Sequence, residues 1–257
     1  MPGLRCQPGV SLRHRADTGA GVDLWTVYNA IEANALGKRY GRRWALADCT
    51  LTVPAGQVVG LVGPNGAGKT TLLELAVGLL RPTTGTITVR QRAGFVAQGA
   101  PVYAGLSVAD HLRMGQALST RWDASLARRR VDEADLDPRQ RAGRLSGGQR
   151  AQLALTLAVA RRPGLLVLDE PAAHLDPLAR RDFLDSVTRA VAASEESMTV
   201  VFSSHLVADL ERTCGYVILL AGGQVRLADP VDTLLAAHNH PRSLDDLVVS
   251  YLREIPR

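Results

Sequence analysis

Three runs of almost unbroken apolar residues, at 58–63, 165–169 and 199–203, punctuate the chain. A half-buried strand alternates apolar and polar positions, whereas a run without alternation suits a central strand of a parallel sheet covered on both faces. Shorter β-prone runs fall at 50–53, 86–89 and 94–97. Between them the period lengthens. Residues 70–80 follow a glycine-rich turn and read as a helix, and 149–160 is Ala/Leu-rich with Leu153 and Leu157 one turn apart. An amphipathic segment is expected at 182–193. The strands stop between Gln98 and Leu145. There Ser107 and Asp110 form a capping box that opens a helix through about Leu118, and a second helix is expected over 123–134. The alternation predicts an α/β domain with an inserted helical block. After Pro230 the tail reads as helical, with 244–252 able to pack on the body. Residues 1–30 carry Arg5, Arg13, His14 and Arg15 among Gly, Pro and Ser without apolar periodicity, which predicts a disordered extension and not a targeting segment.

Composition adds limits to this picture. The 257 residues are 46% hydrophobic and 21% charged, the proportions of an ordinary globular chain with ample core. No stretch approaches the ~18–20 continuous apolar residues of a membrane helix. Cys6, Cys49 and Cys214 are scattered, without CxxC spacing, and read as free thiols of a reducing compartment. The net charge of +5 permits contact with phosphates or an anionic surface without requiring it. The run Arg128-Arg129-Arg130 is followed by Asp132, Glu133 and Asp135 and reads as a solvated helix face, so no nucleic-acid partner is expected.

The chemistry concentrates in three places. Gly63-Pro64-Asn65-Gly66-Ala67-Gly68-Lys69-Thr70 fits GxxxxGK[ST] between an apolar strand and a helix, with Thr71 next in line. Its glycines let successive N–H groups converge on phosphate oxygens, and the helix N-terminus adds partial positive charge. Lys69 can reach the β- and γ-phosphates, and the Thr70 hydroxyl can ligate Mg²⁺. The run at 165–168 ends in Asp169 and Glu170, at the sheet edge where open α/β sheets bind ligands. Adjacent strand residues face opposite ways, so the two acids should divide the work. Asp169 would hold Mg²⁺ through its water shell, and Glu170 would orient or deprotonate the attacking water. A further strand ends at Ser204 and His205, which could hydrogen-bond the γ-phosphate.

Leu145-Ser146-Gly147-Gly148-Gln149-Arg150 resembles the signature of ABC-type ATPases, and the order of motifs around it matches that family. The P-loop comes first, then Gln98 at the Q-loop position, the signature, the strand ending in Asp169-Glu170, a D-loop at Ala173-His174-Leu175-Asp176, and His205 at the switch position. Leu36-Gly37-Lys38-Arg39-Tyr40-Gly41 resembles the A-loop, in which Tyr40 would stack on adenine. His174 departs from the small residue often found at its D-loop position. The resemblance implies a P-loop NTPase parallel-sheet core, an antiparallel β subdomain and an inserted helical subdomain over about 99–158, within an ATPase domain spanning 31–240 and ahead of a helical tail at 241–257. It also implies ATP and Mg²⁺ as cofactors, with Thr70, Gln98 and Asp169 as metal ligands and Glu170, His205 and Gln98 as catalytic residues. Head-to-tail pairing with a second copy or a paralogue would bring Ser146, Gly147, Gly148 and Gln149 onto ATP held by the partner's P-loop.

Without membrane helices of its own, such an ATPase is expected to work on a separate membrane (permease) subunit at the cytoplasmic face of the cell membrane. Pro101, Tyr103 and Leu106 would contribute to the docking groove. Only 46 residues lie between Gln98 and Leu145, too few for the coiled coils of chromosome-organising members. The zinc cysteines of excision-repair types and the paired domains of translation factors are also missing from this sequence. The segment Ser243-Leu244-Asp245-Asp246-Leu247 resembles the tail of drug, antibiotic or lipid exporter ATPases of the ABC-2 type, which points to export, with an importer subunit or a non-transport ATPase as alternatives.

Overall fold

A computed structural model describes residues 29–194, 197–204, 213–237 and 244–253. In chain order the strands are β1 (Asn29–Tyr40), β2 (Arg43–Pro54), β3 (Val58–Val62), β4 (Thr84–Val89), β5 (Ala93–Val96), β6 (Leu165–Leu168), β7 (Thr199–Ser204), β8 (Tyr216–Ala221) and β9 (Gln224–Pro230). The helices are α1 (Lys69–Ala76), α2 (Val108–Leu118), α3 (Ala124–Glu133), α4 (Gly147–Val159), α5 (Pro177–Ala192), α6 (Val231–Ala237) and α7 (Leu244–Arg253). A six-stranded sheet in the order β5-β6-β7-β3-β8-β9 is parallel except for its last strand, which returns antiparallel beside β8. A three-stranded antiparallel sheet, β2-β1-β4, forms the second layer.

The unbroken apolar runs are explained by two cores, one on each face of the large sheet. Along β6, Leu166 and Leu168 enter the core that also holds Val200, Phe202 and Phe183 of α5. Leu165 and Val167 enter the opposite core with Val201, Leu61 and the α1 residues Leu72 and Leu73. Both faces of a strand are buried, so neither needs a polar residue. The helical block has a smaller core of its own around Val108, Val131, Leu136, Leu145 and Leu153. In it the buried His111 accepts the Tyr103 N–H through Nε2 at 3.0 Å, so its Nδ1 carries the proton and faces the Ser107 carbonyl at 2.8 Å.

Helix ends follow local chemistry. The expected α1 stops at Ala76 and not near Leu80, because Gly78 at φ +76 takes the left-handed turn, with Leu79 N–H closing onto the Glu74 carbonyl at 2.9 Å. α5 starts five residues before Asp182. Asp176 caps it by accepting the Leu178 and Ala179 N–H groups, both at 3.0 Å, and Pro177 occupies the first helical position. The capping box expected at Ser107 and Asp110 is present. α7 covers the tail segment expected to pack, with Leu244, Leu247 and Val248 in the core beside α6 residue Leu234. The arginine run of α3 is not uniformly solvated: Arg128 and Arg129 are exposed, but Arg130 turns inward and is buried.

Candidate nucleotide site

The P-loop connects β3 to α1 at the C-terminal edge of the large sheet. Gly68 precedes the helix at φ +104, and a Cβ there would stand 2.5 Å from the Ala45 carbonyl oxygen, so only glycine fits the approach of the loop to β2. Lys69 is 5% exposed. Its ammonium donates to the Gly63 carbonyl at 2.7 Å and the Pro64 carbonyl at 3.3 Å, and lies 3.3 Å from Glu170 Oε1. The loop's own carbonyls and one carboxylate therefore hold the charge beneath the curl of backbone N–H groups.

The two acids follow β6, and Glu170 leaves the strand geometry that alternation assumes. Asp169 is 1% exposed; its Oδ1 accepts a 2.7 Å hydrogen bond from the Ser203 hydroxyl of β7. The same hydroxyl oxygen accepts the Glu170 N–H at 2.8 Å. Glu170 sits at φ +42, an uncommon conformation for a residue with a side chain, and turns its carboxylate toward Lys69. Ser203 ties both acids to the neighbouring strand and was not singled out by the motifs. Its role depends on strand register: Leu168 pairs with Phe202, which sets Asp169 opposite Ser203.

A cleft of about 710 Å³ opens over this arrangement. Among the residues expected at the site, Tyr40, Asn65, Gly66, Ala67, Gly68, Lys69, Thr70, Thr71, Gln98 and Glu170 line it, together with His174. Arg43 and Ala45 also line it, and the motifs did not point to them. Arg43 is the cross-strand partner of Tyr40 in the β1–β2 hairpin, so only the pairing reveals it. The Tyr40 ring is half exposed, with the Lys38 ammonium 5.5 Å from its centroid. His205 lies outside the described residues.

The signature residues are not in this cleft. Ser146, Gly148 and Gln149 line a separate cavity of about 410 Å³ against α5. Gly147 opens α4 beside Leu175. Ser146 and Gln149 form a capping box: the Gln149 N–H donates to Ser146 Oγ at 3.1 Å, and Gln149 Oε1 accepts the Ser146 N–H at 3.0 Å. Gln149 thus spends its carbonyl on the helix start.

The donor chemistry suits a hard divalent cation. Thr70, Gln98 and Asp169 offer oxygen ligands, and no cation among the described residues pairs with the buried Asp169. No cluster of three or more His, Cys, Asp or Glu side chains placed to hold a metal occurs among the described residues, so a metal here would draw most of its shell from water and phosphate oxygens.

The parallel sheet, the loop between β3 and α1 and the acids ending β6 define a P-loop nucleotide-binding protein. The ABC transporter family pattern matches residues 46–173. The aliphatic sulfonates import ATP-binding protein of Escherichia coli strain K12 is 35% identical over 211 residues, covering 77% of this chain and 80% of that protein. The Nod factor export ATP-binding protein I of Cupriavidus pinatubonensis is 33% identical over 211 residues, covering 76% of this chain and 64% of that protein. A solved ATP-binding subunit of an ABC transporter superposes with a TM-score of 0.75 at 26% identity, covering 87% of this chain and 99% of that one. The matched stretch spans 62% and 54% of the length of two other curated relatives. The chain belongs to the ABC transporter ATP-binding family, a family of ATP hydrolases.

Proposed function

We propose that this chain is the ATP-hydrolysing engine of an ABC exporter, closing head-to-tail with a second copy or a paralogue around ATP. The observation that carries the reading is the division of the site. The P-loop cleft is built and charged, yet the signature helix faces a different cavity of the same chain. A complete site therefore takes Ser146, Gly147, Gly148 and Gln149 from another ATPase subunit.

In the closed pair Tyr40 stacks on adenine, and residues 63–71 wrap the phosphates with Lys69 on the terminal ones. Thr70, Gln98 and Asp169 would hold Mg²⁺, which neutralises phosphate charge when bound. Glu170 orients the attacking water and takes its proton, and His205 hydrogen-bonds the γ-phosphate. The positive end of α4 completes the charge balance from across the interface. Binding closes the pair and hydrolysis releases it, which moves a membrane partner seated on the helical block near Pro101, Tyr103 and Leu106. Tyr103 is 65% exposed and anchored from below by His111. The ATPase unit would span 31–240, with its helical subdomain at about 99–158, an extension before it and the tail at 241–257 after it. The assembly would sit on the cytoplasmic face of the membrane.

Export rests on the resemblance of the tail at Ser243-Leu244-Asp245-Asp246-Leu247 to ABC-2-type exporter ATPases and on the likeness to the Nod factor export protein. The likeness to the sulfonate import protein favours import as the second reading. Affinity purification of Glu170→Gln protein with ATP from detergent-solubilised cells tests the transport reading. A stoichiometric multi-helix membrane protein is expected. Ribosomes, nucleic acid or soluble proteins alone would overturn it.

A further inference from the structure

A cavity of about 760 Å³, larger than the P-loop cleft, lies at the seam where α3 and the end of α4 meet the end of α5. Five arginines line it, Arg121, Arg129, Arg130, Arg162 and Arg189, against two carboxylates, Asp123 and Glu133. Both carboxylates are already engaged. Asp123 Oδ2 accepts from Arg162 Nε at 3.0 Å and Nη2 at 2.5 Å, and Glu133 faces Arg129 at 3.8 Å.

Arg130 stands apart. It is 5% exposed, and its Nη2 donates to the Ser186 hydroxyl at 3.0 Å. Its Nε is buried with no acceptor, and among the described residues no carboxylate lies within ion-pair distance of it. Burial pulls its pKa down; Glu133 raises it, and the nearby Arg189 and Arg129 lower it further. A guanidinium offers five donors in a planar fork; here Ser186 takes one, Nε has no acceptor, and the nearest answering charge, Glu133, stands beyond ion-pair distance. A buried charge without a direct ion pair is a costly arrangement, and it is relieved when an anion is supplied in contact with it.

We infer that this cavity is a second ligand site, which binds a small multivalent oxyanion bearing phosphoryl or carboxylate groups, with Arg130 at its floor and Arg189 and Arg121 at its walls. The volume suits a molecule of metabolite size. Planar forks of this kind grip oxyanions through paired N–H donors. The site is separate from the P-loop cleft, which shares no lining residue with it. Arg130, Glu133 and Arg189 also line the cavity at the signature end of α4, so an anion here would bind the helical block to the core and bear on the ATPase through that shared wall.

The test is calorimetric titration of the full chain carrying Lys69→Ala, which removes phosphate affinity from the P-loop cleft, with pyrophosphate and with citrate. At least one probe should bind saturably, and adding Arg130→Met or Arg189→Gln should weaken it at least tenfold. Pyrophosphate alone would identify phosphoryl groups as the ligand chemistry, and citrate alone carboxylates. Failure of both probes to saturate at millimolar concentration would overturn the inference, as would unchanged binding in the arginine variants. If Arg130→Met does not fold, Arg189→Gln decides the matter alone.

Discussion

Ser203 shows how much one side chain can carry at this site. Its hydroxyl donates to Asp169 and accepts from the backbone of Glu170, so the two acids are held by one oxygen atom on the neighbouring strand. Ser203→Ala would leave the Asp169 carboxylate and the Glu170 N–H without that partner. We expect kcat for ATP hydrolysis to fall by roughly tenfold or more with the affinity for ATP little changed, since the lost contacts position the acids and do not touch adenine or the P-loop. Steady-state kinetics beside nucleotide-binding titrations would check this, and a loss confined to binding would reject it. The P-loop, the two acids and the signature were legible in the sequence because each is a contiguous string. Ser203 and Arg43 were not. They reach the site through strand pairings, β6 with β7 and β1 with β2, which no local spacing records.

The elements repeat that lesson. β3, β6 and β7 are readable because both faces are buried and the apolar run is unbroken. β1 is long but rich in Ala and Asn, with register shifts along its pairing with β2, and its sequence carries little β-propensity to read. β8 and β9 close the sheet as an antiparallel pair joined through Gly222-Gly223, beyond the last of the motifs. The capping box of α2 was legible down to its atoms, and it yields two predictions. Ser107→Ala should cost about 1 kcal/mol in urea unfolding through loss of the cap. The Asp110 carboxyl is held down to about 2 by its hydrogen bonds from the Ser107 side chain and backbone and by Arg113. Its folded pKa lies below the unfolded value, so its contribution is complete above roughly pH 4 and disappears as pH falls toward 2. Asp110→Asn should flatten that part of the stability-versus-pH curve; an unaltered slope would assign the acid sensitivity elsewhere.

At the scale of the molecule, the large sheet places the P-loop and the acids on one edge while the helical block turns the signature toward another cavity. The head-to-tail pair proposed above would join the P-loop of one copy to the signature of the other. With ATP, the Glu170→Gln protein should run as a dimer in light scattering, and adding Ser146→Arg should return it to monomer, because a long cation at the start of α4 meets the interface and not the chain's own P-loop. Dimerisation that ignores Ser146→Arg would contradict the head-to-tail arrangement. His174 lines the P-loop cleft while its carbonyl lies near Gly147, so residues 173–176 run between that cleft and the start of α4.

The most direct measurement is ATP binding and turnover of the parent chain beside Glu170→Gln, under the same conditions. ATP affinity should be equal, and turnover should be about a hundredfold lower or worse in the variant, the size of effect expected when a general base is removed. Full turnover by Glu170→Gln would contradict the assignment of this carboxylate, and with it the chemistry proposed for the cleft.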